Sequence, residues 1–165
     1  MNEQNQHIEV DLGRQQLRLI SGNGYVTSYL ISSALNGPGE TRGSECTPRG
    51  LHRIRLKIGD GLPEQSVFVG RRPTGEIYTP ALAAANPGRD WILTRILWLT
   101  GLESGRNRGG AVDSLSRFIY IHGTPDSEPM GMAVSHGCIR MRNSELVQLF
   151  DRVAVGTLVD IREQF

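Results

Sequence analysis

The chain opens on a period-two pattern. Ile8, Val10 and Leu12 fall on one side and Glu9 and Asp11 on the other, and Leu17 and Leu19 repeat the alternation within Gln16–Ile20. Gly13-Arg14 separates these runs, and Ser21-Gly22-Asn23-Gly24 precedes a third, Tyr25–Ile31. Successive side chains of a strand point to opposite faces, and Gly and Asn enter tight turns readily, so the pattern predicts a β-meander. Ile54, Leu56 and Ile58 alternate with Arg53, Arg55 and Lys57, which predicts a half-buried strand with its basic side in solvent. Asp60-Gly61 ends it; Val67–Val69, Phe118–Ile121 and Thr157–Ile161 are three further strands. One segment has the helical period instead: Asn143 stands as a cap before Ser144–Val153, with Leu146, Val147, Phe150 and Val153 on one face. Ile92–Leu99 fits both periods, its leucines suiting a helix and its Ile, Thr and Trp a buried strand. Asn36 through Gly50, and Gly101–Gly110, read as loops. The fold class expected is mainly β, with one main helix near the C-terminus.

Composition narrows this picture. A chain of 165 residues is expected to be one domain, here 1–165, since chains split mostly beyond roughly 250. With 38% hydrophobic and 21% charged residues it reads as globular, and its 20 glycines favour a turn-rich fold. A net charge of +1 supplies no overall field for nucleic acid or an anionic membrane, so neither is expected as a partner and anion recognition must be local. Arg106-Asn107-Arg108-Gly109-Gly110 is then a mobile surface loop. No apolar run approaches the ~18 residues of a membrane span. The first ten residues, MNEQNQHIEV, are polar and carry no basic-then-apolar signal pattern, which sets the expectation of a cytoplasmic protein.

The chemistry concentrates in Ile121-His122-Gly123-Thr124 and Ser135-His136-Gly137-Cys138-Ile139-Arg140-Met141. A thiol with a pKa near ~8.5 is mostly protonated at neutral pH, and a neighbouring imidazole can take the proton. Gly137 has no side chain to keep a substrate away, so the amides of Gly137 and Cys138 are candidate oxyanion donors. A single buried Cys is usually an inert small hydrophobe, and a His at a strand end is usually just hydrogen-bonded. Here two of the four histidines lie within sixteen residues of one Cys on a Gly-flanked loop. Zinc is the rival reading, with Cys138, His136, His122 and Cys46 as ligands. Their spacing matches no zinc pattern, so neither metal nor cofactor is expected. The second cysteine, Cys46, leaves one bridge to Cys138 open, against the expected compartment.

The segment Ser135–Met141 resembles the nucleophile signature of the YkuD-type L,D-transpeptidase family. Ile121-His122-Gly123-Thr124 resembles that family's base-bearing motif, and Thr47-Pro48-Arg49-Gly50 its Thr-Pro-x-Gly turn. The resemblance covers roughly residues 7 to 162. It implies a YkuD-like β-sandwich of mixed sheets, in which Ile92–Leu99 is a strand. It implies that Cys138 is the nucleophile, that His122 is the base oriented by the Gly123 carbonyl, and that His136 and Gly137 line the site. Ser135 would shape the loop, and Arg140 would hold it or bind a substrate carboxylate. The loops Asn36–Glu45 and Gly101–Gly110 look longer than in a minimal member and are candidates for a cap.

The substrate implied is a murein tetrapeptide stem, attacked at the diaminopimelate carbonyl with release of D-Ala. With the cytoplasmic expectation, water is the favoured acceptor, giving an L,D-carboxypeptidase of peptidoglycan recycling; amine transfer, which makes cross-links, is the alternative. Such an enzyme must spare pentapeptide precursors by reading the carboxylate of the fourth residue, for which Arg71, Arg72, Arg106, Arg108, Arg140 and Arg142 are candidates. A carbapenem, similar to an acylating substrate, is expected to add to Cys138. A non-catalytic muropeptide-binding module would need neither Cys138 nor His122.

Overall fold

A computed structural model describes residues 5–165; residues 1–4, the start of the polar N-terminal stretch, lie outside the described part. Ten strands and two α-helices follow one another. They are β1 (His7–Asp11), β2 (Gln16–Ile20), β3 (Val26–Ser32), β4 (Gly50–Ile58), β5 (Ser66–Val69), β6 (Arg72–Ile77), α1 (Pro80–Ala85), β7 (Ile92–Gly101), β8 (Tyr120–Gly123), β9 (Ile139–Met141), α2 (Asn143–Arg152) and β10 (Leu158–Arg162). The expected meander is present: β1, β2 and β3 pair antiparallel in sequence. The strands form one mixed sheet in the order β4-β10-β1-β2-β3-β9-β8-β7-β5-β6, and β4 also pairs with β7. That extra pairing closes eight strands into a ring and leaves the β5–β6 hairpin as an extension. Two pairings are parallel, β1 with β10 and β8 with β9.

The main core gathers Ile8, Val10, Leu17, Leu19, Ile31 and Ile54 with Leu97, Leu99, Ile121, Ile139 and Met141, and with Leu146, Leu149 and Phe150 of α2. Burying each such side chain stabilises the fold by about 1.5–3 kcal/mol. Ile92–Leu99 is a strand, extended to Gly101. Strand alternation then sends the other residues of β7, β8 and β9 to the opposite face. Phe68, Ile96 and Tyr120 make a second cluster there, with Trp98 and Cys138 packed against it.

Several local readings change. The alternation in β4 stops at Ile54: a register shift between Ile54 and Leu56 leaves Leu56 41% exposed. Lys57 does not stay in solvent. Its Nζ donates to the carbonyls of Phe150 and Val153, both at 2.7 Å, where the end of α2 leaves acceptors without amides. The strand expected over Phe118–Ile121 starts at Tyr120, because Phe118 has φ +58 and closes a turn onto Leu115. Helix α2 begins one residue early. Asn143 lies inside it rather than capping it, and the N-cap residue, Arg142, makes no side-chain cap bond. Helix α1 was not expected, although its start follows ordinary rules: the Thr79 hydroxyl accepts from the Leu82 amide, and Pro occupies the first turn.

Candidate active site

Cys138 is the residue immediately before β9, and Ile139 pairs with Ile121 of β8. Because Ile121, Ile139 and Met141 face the main core, Cys138, Arg140, Tyr120 and His122 share the other face. The register sets Arg140 directly opposite His122, and Cys138 one pleat earlier on the same face.

The turn before Cys138 is built from side chain to backbone. Ser135 Oγ donates to the Cys138 carbonyl at 2.6 Å and accepts from the Gly137 amide at 3.3 Å. Thr47, from the Thr-Pro-x-Gly turn, donates its hydroxyl to the Gly137 carbonyl at 2.9 Å and accepts from the Ala34 amide at 3.0 Å. Gly137 has φ +131, which side chains rarely adopt, and a Cβ there would come within 3.3 Å of the Cys46 carbonyl. The loop from Asn36 to Thr47 therefore rests on the turn at Gly137. Arg117 latches it, donating to the carbonyls of Gly39 at 3.3 Å, Glu40 at 3.1 Å and Cys46 at 2.7 Å.

The half-buried Cys138 thiol donates to the Phe118 carbonyl and accepts from the Tyr120 amide, both at 3.3 Å. Burial pushes its pKa up to about 11, against the Tyr120 N–H, which favours the thiolate. His122 is buried, and its Nδ1 lies 2.6 Å from the Gly123 carbonyl. A carbonyl only accepts, so Nδ1 carries the proton and Nε2 the lone pair. Among the described residues Nε2 has no hydrogen-bond partner. Burial lowers the His122 pKa to about 4, the Gly123 carbonyl opposing, so the ring is neutral at neutral pH.

Gly123 is where it is because nothing larger fits. A Cβ would strike Asn143 Oδ1 and lie 2.6 Å from the Leu93 carbonyl. Asn143 is held in turn: its amide donates to the Thr124 carbonyl at 2.9 Å, and its Oδ1 accepts from the Thr94 hydroxyl at 2.5 Å. Thr94 sits at φ +77 in the bulge of β7 between Leu93 and Ile96. Positive φ is unfavourable for a β-branched residue, so this conformation is imposed by what surrounds it. The sequence offered Asn143 only as a helix cap and gave no signal for Thr94, Arg117 or Asp90.

The arginines separate clearly. Arg140 is buried, makes no hydrogen bond among the described residues, and lies 3.8 Å from both Asp90 and Glu128. Arg142 is committed to the carbonyls of Asp126 and Glu128, at 2.7 and 2.9 Å. Arg106 pairs with Glu103, while Arg72 and Arg108 are exposed without ion pairs among the described residues. Arg71 lies beside the neighbours of Cys138, its guanidinium 4.7 Å from the Trp98 ring centroid and 5.0 Å from that of Phe118. His136 is exposed, and its ring makes no hydrogen bond among the described residues. Cys46 and Cys138 are free thiols. Among the described residues no group of three or more His, Cys, Asp or Glu side chains could hold a metal ion.

The Gly101–Gly110 loop is anchored at Asn107, inside the stretch expected to be a mobile surface loop. Asn107 is fully buried, donates to the carbonyls of Arg49 and Leu51 at 3.0 Å and accepts from the Glu103 amide at 2.9 Å. The loop is thereby tied to the start of β4. Of the two loops expected to cap the site, Asn36–Glu45 meets the turn at Gly137.

The model of the YkuD L,D-transpeptidase catalytic domain matches residues 5–161. Over 50 residues the chain is 48% identical to the probable L,D-transpeptidase ErfK/SrfK of Escherichia coli, 30% of this chain and 16% of that protein. Over 61 residues it is 46% identical to the putative L,D-transpeptidase YkuD of Bacillus subtilis, 34% of this chain and 37% of that protein. The matched segments thus span well under half of these relatives' length. Among solved structures, L,D-transpeptidase 3 from Mycobacterium tuberculosis in complex with a faropenem-derived adduct superimposes with a TM-score of 0.58. It is 15% identical, over 96% of this chain and 60% of that one, and so speaks to the fold.

Proposed function

This chain belongs to the L,D-transpeptidase catalytic-domain family of cysteine-dependent peptidoglycan enzymes, and we propose that Cys138 is its nucleophile and His122 its general base. The observation that carries this reading is the arrangement on β8 and β9. A thiol and a neutral imidazole share one face, and the imidazole's Nδ1–H is spent on Gly123 while Nε2 is open.

Both groups start neutral, so no standing thiolate–imidazolium pair is needed. As Sγ attacks the carbonyl of an L-centre joined to a D-residue, the S–H bond breaks and its proton passes to Nε2. The carbonyl oxygen takes the electron pair, facing the Cys138 amide and the Gly137 amide, whose bond to Ser135 Oγ is long at 3.3 Å. The imidazolium is supported by the Gly123 carbonyl and by Asp90, both of which raise the His122 pKa. It returns the proton to the departing amine, leaving a thioester on Cys138. In the second half-reaction His122 takes a proton from water, the hydroxyl adds to the thioester, and the thiol is restored.

Arg140 fits the leaving side. A departing D-Ala whose amine meets Nε2 carries its carboxylate only a few bonds away, and Arg140 stands opposite His122 with unfilled donors. His136, exposed beside Gly137, lines the rim of the site.

The substrate proposed is a murein tetrapeptide and the acceptor water, giving an L,D-carboxypeptidase that acts on soluble stems in the cytoplasm. What favours water is the recess. The thiol is half-buried under Phe118 and Tyr120 with a latched loop beside it, and water enters such a recess more easily than a second charged stem. Transpeptidation is the second reading, favoured by the names of the relatives. Purified enzyme with a monomeric disaccharide-tetrapeptide separates the readings by product mass. Tripeptide and D-Ala support hydrolysis, mostly dimer replaces it with transpeptidation, and unchanged peptide leaves a binding module. A carbapenem is expected to add its mass to the Cys138 peptide; an adduct on Cys46 would remove the nucleophile assignment. Cell fractionation tests the compartment separately.

A further inference from the structure

The mechanism above uses one face of β8 and β9 and leaves one feature of that face without a task. Arg71, in the turn between β5 and β6, lays its guanidinium over Trp98 and Phe118, with centroid distances of 4.7 and 5.0 Å. One of its nitrogens reaches the Tyr120 hydroxyl at 3.4 Å. Three aromatic residues thus hold one cation. Arg71 is exposed and makes no ion pair among the described residues, so its remaining N–H edge is available. Several other arginines are already engaged by carboxylates, as with Glu9, Glu40, Glu76 and Glu103. A guanidinium held flat on aromatic rings loses little freedom on binding, and its fork matches a carboxylate.

The same aromatic residues surround the nucleophile. The Phe118 carbonyl accepts from Cys138 Sγ and the Tyr120 amide donates to it, while Trp98 pairs with Tyr120 in the sheet. A residue acylating Cys138 therefore has its carbonyl carbon at one end of an apolar shelf whose far end is a fixed cation. Phe118 keeps 49% of its surface exposed, so the shelf is open to a ligand.

We propose that Arg71, on the Trp98–Phe118–Tyr120 shelf, is a specificity site for the acyl-donor residue: it selects a side chain with an aliphatic stem that ends in a carboxylate. Of the common third residues of a stem, diaminopimelate has that form, whereas lysine ends in an ammonium alone. This rests on the stem-peptide reading above, in which diaminopimelate is the residue attacked, and adds to it the side chain that would tell diaminopimelate from lysine. The stem lies along the shelf and the terminal carboxylate meets the guanidinium edge. A lysine side chain would bring its ammonium against Arg71.

The test compares two tetrapeptides that differ only at the third residue, diaminopimelate or lysine, plus the diaminopimelate peptide amidated at its side-chain carboxylate and, separately, at its C-terminus. Wild type should favour the diaminopimelate acid in kcat/KM by roughly 10–100-fold, the range of a charged hydrogen-bonded contact. Arg71→Ala should lose that preference by weakening the acid peptide alone, mostly through KM, and Arg71→Glu should turn the preference toward lysine. Alkylation of Cys138 by iodoacetamide at the wild-type rate identifies variants whose site is intact. An equal loss on both peptides would overturn the proposal. So would an Arg71 effect that vanishes with the C-terminal amide and survives the side-chain amide, since the carboxylate read would then be the leaving one. If wild type turns over none of these peptides, the enzymatic reading fails by itself. Calorimetric titration of the Cys138→Ala chain with the same peptides then decides the shelf, and equal affinity for all of them overturns it.

Discussion

Two of the four histidines are buried, and burial drives the pKa of each down to about 4, yet they are wired differently. His52, on β4, has both ring nitrogens engaged, Nδ1 3.0 Å from the Gly50 carbonyl and Nε2 2.8 Å from Ser114 Oγ. It ties β4 to the segment before β8 and has nothing left to offer a substrate. His122 gives Nδ1 to Gly123 and keeps Nε2 open. Neither burial nor a shifted pKa singles out His122 as the proposed base, since both rings have both. The unspent nitrogen marks it, with a thiol beside it on the same sheet face.

The largest expected effect is on the partner of that open nitrogen. Cys138→Ala should abolish turnover of the tetrapeptide, while Cys46→Ala should keep most of it, because Cys46 serves the site through its backbone carbonyl. Equal loss from both, in an assay of released D-Ala, would mean that the thiols act together.

The histidines come next. His122→Ala should lower kcat/KM by at least roughly 10²-fold, the usual scale for loss of a general base, with a modest effect on melting. His52→Ala should do the reverse, destabilising by about 1–3 kcal/mol through a lost buried network and a small cavity, with kcat/KM per folded molecule retained. His136→Ala, at an exposed ring, should cost less than His122→Ala. Should His136 prove the more damaging of those two, the base assignment moves to it.

Smaller again is the effect of the frame behind His122. Asn143→Ala leaves the imidazole and the thiol in place but frees the Thr124 carbonyl and the Thr94 hydroxyl. Misplacement without loss of a group should lower kcat roughly 10-fold with KM little changed. A change in KM alone would put Asn143 in substrate binding instead.

How much of this was legible beforehand follows the range of the forces involved. Strand alternation is a local signal, so β1 and β2 could be read from residue spacing, whereas Ile92–Leu99 fitted both periods and became a strand only through the family resemblance. Cys138, His122 and Gly123 stood in a dense motif, and Thr47 in a second one whose role needed the fold: its hydroxyl holds Gly137, 90 residues away. Thr94 and Asn143 meet across 49 residues through a bulge, and a bulge has no period to detect. Arg106–Gly110 read as a surface loop because composition is blind to Asn107, whose amide anchors the loop to β4. Arg71 was one of six candidate arginines, and its place over Trp98 needed the turn between β5 and β6.

The smallest expected effect is no effect, and it separates the two histidines most sharply. The His122 pKa lies near about 4 and that of Cys138 near about 11, both set first by burial. The free enzyme therefore keeps one protonation state across the neutral range, and kcat/KM should be flat from about pH 5 to pH 9. Below that, protonation of Nε2 removes the acceptor and the rate falls. Cys138 alkylation should rise about tenfold per pH unit through the neutral range, as for a thiol far below its pKa. A standing thiolate–imidazolium pair would instead react at a rate nearly independent of pH. Stability behaves differently from rate. For both His52 and His122 the folded pKa lies below the ordinary value of 6.5, so the unfolded chain binds more protons between pH 6.5 and pH 4. The stability each neutral ring contributes is whole above pH 6.5 and is lost as pH falls toward 4, by up to roughly 3 kcal/mol per ring. Replacing His52 should therefore flatten the acid side of the melting profile while leaving the acid limb of the rate profile where it was. If that limb lies near pH 6.5 in the wild type, His122 is solvated in the working enzyme, and the contrast between the two rings is one of access rather than wiring.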